Sequence, residues 1–213
     1  MSQSPDYVAG FAVYITLDFL NMTIELFGRH LLKELERLDT EARTIYRELV
    51  LPNWGKELHG FPDTLYGFMM GLFARVDMAS AYWKGNFDSQ TPRMVGFMDL
   101  YVSSNHEANS VAVQMWRHKL MHTSQPRYLR NEKINKSYRW LLHWWEHLPA
   151  EQHYTFIETS DSQILNIGLI YLISDLRRGI ERFLHDLQGS VDLQARFKHV
   201  EDELTTSTYR EIA

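Results

Sequence analysis

Seven apolar residues near the end of the chain, Leu165, Leu169, Leu172, Leu176, Ile180, Phe183 and Leu187, recur at steps of four, three, four, four, three and four. Steps of that size place all seven on one face of an α-helix, and so wide a stripe has to be buried against other elements. Ser160 or Asp161 can cap such a helix, which is expected to run from Gln163 to Gln188 and to stop at Gly189.

The same rhythm recurs upstream. Phe11, Ile15, Phe19, Met22 and Leu26, then Leu31, Leu35 and Leu38, predict a long amphipathic helix from Tyr7 to about Leu38, with Gly28 as a point of weakness. A more charged helix is expected from Thr40 to Leu51, ended by Pro52. Two prolines and two glycines make Pro52–Asp63 a loop. Asp63 or Thr64 then caps a helix with the stripe Leu65, Met69, Leu72, Val76, Ala79 and Trp83, ending near Gly85. Pro92 suits the first position of a further helix bearing Val95, Met98 and Val102, its apolar face widened by Phe97, Leu100 and Tyr101. Ser104 and Glu107 have the spacing of a capping box for the helix after it.

Residues 128–134 are charged and irregular. Tyr138–Trp145 and Tyr154–Glu158 are short aromatic and β-branched runs, expected to pair as a two-stranded hairpin, with a short helix over Tyr138–Leu148 as the alternative. Val191–Leu204 reads as a last short helix. The fold class expected is therefore all-α: a helical bundle with a small β-hairpin insertion before the last long helix. It forms one domain over residues 1–213, with its core in 7–188 and a short helix and tail in 189–213. A hydrophobic content of 45% is enough to build that core. The most apolar run, Ile164–Ile173, is about half as long as a membrane-spanning helix, so no membrane is expected. With no cysteine and no signal-peptide pattern at the first residues, the cytoplasm is the expected location.

Charge is unevenly spread. Of 22 basic and 27 acidic residues, the window Trp116–Arg139 holds seven of the former (Arg117, Lys119, Arg127, Arg130, Lys133, Lys136, Arg139) and only Glu132 of the latter. That window carries +6 and the remainder −11, which makes it a candidate anion-attracting patch. At its start, Arg117-His118-Lys119-Leu120-Met121-His122 combines a permanent cation with imidazoles that exchange protons near neutral pH. Such a pair suits a reaction that builds negative charge on phosphate while moving protons. In an ideal helix Arg117 and His122 lie about 140° apart, so both reach one ligand only if the helix ends between them. His118 and His122 have the spacing of paired metal ligands, but no third ligand or HExxH pattern accompanies them, and no metal or cofactor is expected. Cations in a last helical turn also simply complement the macrodipole. Trp140, Trp144 and Trp145, with His143 and His147, form an aromatic cluster that suits hairpin packing, a dimer contact or base stacking. The acidic groups Glu34/Glu36 and Glu201/Asp202/Glu203 read as solvated helix faces.

Arg117-His118-x-x-x-His122, at the end of a helix within an all-α pattern, resembles the signature of the HEPN superfamily (higher eukaryotes and prokaryotes nucleotide-binding domain): arginine, a polar residue, then a distal histidine. The resemblance implies a HEPN-like bundle and, in many members, a metal-independent endoribonuclease acting as a homodimer, a toxin or defence component among them. It assigns catalysis to Arg117, His118 and His122: Arg117 to the transition-state charge, His122 to acid–base work, His118 to positioning. Lys119, Arg127 and Arg130 would hold flanking phosphates of an RNA or nucleotide. A nucleotidyltransferase-type antitoxin is an implied partner in some systems. The same resemblance implies an alternative, a catalytically inactive nucleotide- or partner-binding module.

Overall fold

The computed structural model describes residues 6–53, 61–119, 129–143 and 148–207. Helix α1 (Asp6–Ile45) runs unbroken through both Gly28 and Thr40 and ends in a π-helical turn (Tyr46–Val50) and a short 3-10 turn (Leu51–Asn53). Gly28, a point of weakness by sequence, lies inside the continuous helix and serves packing: a Cβ there would lie 2.9 Å from Cδ1 of Leu184. No cap or proline interrupts the chain at Thr40 either, so the two expected helices are one. Ile24, Leu31, Leu35, Leu38 and Ala42 of α1 are buried, while Met22 and Leu26 are half exposed. The step of five between Leu26 and Leu31 rotates the stripe, and the core takes the later phase.

Helix α2 (Phe61–Lys84) buries Met69, Leu72, Val76 and Ala79 completely, as its stripe predicts, and Gly85 turns the chain with φ +84°. Helix α3 (Gln90–Tyr101) begins two residues before Pro92, after a left-handed Ser89, and leaves Leu100 exposed. Helix α4 (His106–Val113) is capped by Asn105, whose Oδ1 accepts from the Ala108 amide at 3.0 Å; the expected Ser104/Glu107 box does not form. Its continuation is a π-helical turn, Gln114–Lys119.

The β-structure departs most from expectation. Four strands, β1 (Leu129–Asn131), β2 (Lys136–His143), β3 (Phe156–Glu158) and β4 (Gln163–Gly168), form one sheet in the order β1-β2-β4-β3. The two aromatic runs do not pair with each other. Both flank β4, β2 in parallel register (Tyr138 opposite Gln163) and β3 antiparallel (Phe156 opposite Leu165). The hairpin that does form is β1–β2, closed by a turn in which Asn135 takes φ +49°. Leu165, Asn166 and Ile167 are buried in succession, so β4 is covered on both faces and occupies the centre of the sheet. Leu165 therefore reaches the core from a strand, and helix α5 (Leu169–Gly189) starts six residues later than the stripe predicts. Leu169, Leu172, Leu176, Ile180, Phe183 and Leu187 are buried from α5, much of it packed along α1. Helix α6 (Val191–Ser207) returns to α2, where Phe197 meets Tyr82 with ring centroids 4.7 Å apart.

Tyr138, Leu165 and Ile167 of the sheet share one hydrophobic cluster with α1, α2 and α5. Trp140 of β2 docks on Trp116 of the π turn at 4.7 Å, with Tyr66 of α2 6.2 Å from both. The sheet is thus part of the body rather than an insertion on an all-α bundle, and the molecule is mostly helical with a small four-stranded sheet. Among the described residues no helix is long and apolar enough to cross a membrane.

Candidate functional site

Arg117 sits in the π turn directly after two fully buried residues, Met115 and Trp116. Those anchors fix the backbone, and the arginine side chain turns toward α2. Its Nε and Nη2 donate to Oδ2 of Asp77 at 3.3 and 3.2 Å.

Asp77 is the hub of this arrangement. Its Oδ1 accepts from Nη2 of Arg93 at 2.5 Å, and its Oδ2 accepts from Gln90 Nε2 at 2.5 Å as well as from Arg117. Arg93 is nearly fully buried, and its other donors reach Ser80 Oγ and the carbonyls of Asn86 and Asp88, closing the connection between α2 and α3. One carboxylate thus serves two guanidiniums. The trio keeps a formal charge of +1, and its exposed member is Arg117, whose side chain retains 26% of its accessible surface. A guanidinium held in place with charge to spare is suited to an anion.

His118 and Lys119 are the last two residues of the same turn. His122 and Arg127 lie outside the described residues, as do Trp144, Trp145 and His147. Arg130 is exposed on β1, where its Nη2 donates to Asn135 Oδ1 at 3.0 Å. Trp140 is half-buried packing against Trp116, and His143 Nε2 lies 3.3 Å from Asn166 Oδ1 within the sheet.

Three cations of the basic window meet acids from outside it: Arg117 meets Asp77, which it shares with Arg93, Lys136 meets Glu107 at 2.8 Å and Arg139 meets Asp161 at 2.9 Å. The Lys136 ammonium, then the Tyr138 hydroxyl, hold the Glu107 carboxyl below the usual carboxylate range. Two acids read as solvated also have structural partners: Glu34 accepts from Arg75 of α2 at 3.0 Å, and Glu201 accepts from the Tyr82 hydroxyl. Burial, then that hydrogen bond, push the Tyr82 phenol above its ordinary range.

Sequence reading did not find Asp77, Gln90 or Arg93. The available signal was Asp77 itself, an acid directly beside the buried stripe residue Val76 in a mostly apolar helix. No family model matches the chain, and no curated protein or solved structure matches it either.

Proposed function

We propose that this chain is a HEPN-like phosphodiester-handling protein that cleaves RNA at the end of the α4–π segment without a metal, as a homodimer. The observation that carries the reading is the partly exposed Arg117 guanidinium, braced by an Asp77 whose charge is shared with buried Arg93. Positive charge positioned before the ligand arrives costs no reorganisation when a phosphorane-like transition state forms. In this scheme His122 removes the proton of the RNA 2′-hydroxyl as it attacks the adjacent phosphate, and His118 positions the phosphate. That attack leaves a 2′,3′-cyclic phosphate on one product and a free 5′-hydroxyl on the other.

A second reading, a catalytically inactive nucleotide- or partner-binding module, is favoured by the same contact. Nε and Nη2, two donors that would otherwise be free to grip a phosphate side by side, are already turned to Asp77.

Incubating the protein with diverse RNAs in EDTA separates the two readings. Cleavage predicts cyclic-phosphate ends, a rate about 10²–10⁴-fold lower in His122→Ala and about 10²–10³-fold lower in Arg117→Ala, and unchanged melting of the His122 variant. Intact RNA together with measurable phosphate binding supports the module. A strict monomer by light scattering removes the two-subunit cleft on which the nuclease reading depends.

A further inference from the structure

A groove of about 750 Å³ runs between α4 and the β1–β2 hairpin, and neither Arg117 nor Asp77 lines it. Its lining divides into two chemistries. Val111 of α4, Leu129 and Ile134 of the hairpin and the Tyr138 ring are apolar, and Ile134 is more than half exposed at the turn. Arg130 and Lys133 are exposed cations.

The acids in this lining do not cancel those cations. Glu107 is already occupied by Lys136 Nζ at 2.8 Å and Tyr138 Oη at 2.7 Å. Among the described lining residues that leaves Glu132 against Arg130 and Lys133. His106, also in the lining, has its Nδ1 2.7 Å from Oδ2 of Asp99 on α3. A carboxylate only accepts, so Nδ1 donates in this contact and the ring is held at the groove's edge.

We propose that this groove binds a nucleoside monophosphate, with the phosphate on Arg130 and Lys133, the base against Leu129 and Ile134, and the ribose beside His106. The volume falls within the range of small-ligand sites, roughly 300–1,000 Å³. A bare phosphate would leave the exposed Ile134 in water, and an uncharged apolar ligand would make no use of the two cations. Arg130 is shared with the flanking phosphates of the cleavage reading, whereas Lys133, Leu129, Ile134 and His106 belong to this groove alone, so the two readings are separated at Lys133 and Arg117. The nucleotide could be free or the 5′ end of an RNA strand, since both present the same phosphate, sugar and base.

The test is calorimetric titration of the full-length protein with AMP, adenosine, inorganic phosphate and a 5′-phosphorylated tetra-adenylate. AMP is expected to bind at least tenfold more tightly than adenosine or phosphate. The Arg130→Ala/Lys133→Ala double variant, at two exposed positions, is expected to keep the wild-type melting curve and lose AMP affinity at least tenfold. Ile134→Asp, at an exposed apolar position of the lining, is expected to weaken AMP binding as well, while Arg117→Ala leaves it unchanged. Tetra-adenylate binding tighter than AMP assigns the groove to an RNA end, and weaker binding assigns it to the free nucleotide. The proposal is overturned by no heat with AMP at millimolar concentration, by equal affinity for AMP and phosphate, or by AMP affinity that depends on Arg117 and not on Arg130 and Lys133. The last result would leave the reading of Arg117 as a phosphate-binding residue intact.

Discussion

Asp77 decides what Arg117 is for. A carboxylate that serves a nearly buried guanidinium on one oxygen and a partly solvated one on the other has two unequal duties. Removing its charge leaves Arg93 as an unpaired cation inside the protein, a loss on the order of 3 kcal/mol. Removing Arg117 instead takes away a partner that is still in water, and partly exposed ion pairs contribute less than about 1 kcal/mol. Asp77→Asn is therefore expected to lower the melting temperature by roughly 6–12 °C, at about 2–4 °C per kcal/mol for a chain of this size, and Arg117→Ala by no more than roughly 4 °C. Scanning calorimetry of the two variants checks this. Equal losses would mean that Arg117 is as structural as Arg93, and its candidacy as an anion-binding residue would weaken accordingly.

At the level of elements, helices were legible wherever burial follows a single face, because steps of three and four encode that face directly. α2 and α5 show it, with Met69, Leu72, Val76, Leu176, Ile180 and Phe183 all fully buried. Strand pairing is not encoded locally in this way. Leu165 and Leu169 keep helical spacing across what is the exit from β4 into α5, and nothing within Tyr138–His143 names Gln163–Gly168 as its partner. The candidate site divides on the same line. A cation at the end of α4 could be read from its neighbours in sequence, whereas Asp77 lies 40 residues away and is brought to it only by packing.

The link between sheet and helix makes a prediction at this scale. Glu107 of α4 holds Lys136 and Tyr138 of β2, and its folded pKa lies below the ordinary value of 4.5. A lowered carboxyl contributes stability above its unfolded pKa and loses it as pH falls through the folded value. Glu107→Gln should thus melt slightly below the wild type at pH 6–7, and the gap should close as the pH is lowered past about 4. A gap that persists at pH 3 would assign the effect to packing rather than to charge.

Whether the sheet is a graft on the bundle or part of it is a question about the whole molecule. β4 passes into α5 without a loop, and the side chains of Leu165, Ile167 and Leu169 enter one core together with Trp116 and Tyr138. A sheet fused in this way has no independent interior, since its buried side chains lie against the helices that would have to remain folded without it. Ile167 is fully buried, and truncating such a side chain to alanine costs about 2–5 kcal/mol, with the loss shared by every element lining the cavity. Chains of this length can unfold in steps, so coincidence of probes is informative rather than guaranteed. Ile167→Ala is expected to lower the far-UV dichroism midpoint, which reports mainly helix, by as much as the tryptophan fluorescence midpoint, to which Trp116 and Trp140 at the helix–sheet contact contribute. Both should fall by roughly 4–20 °C. If fluorescence shifted and dichroism did not, the strands would be a separately folding unit, and the groove between α4 and the β1–β2 hairpin would lie between two bodies rather than within one.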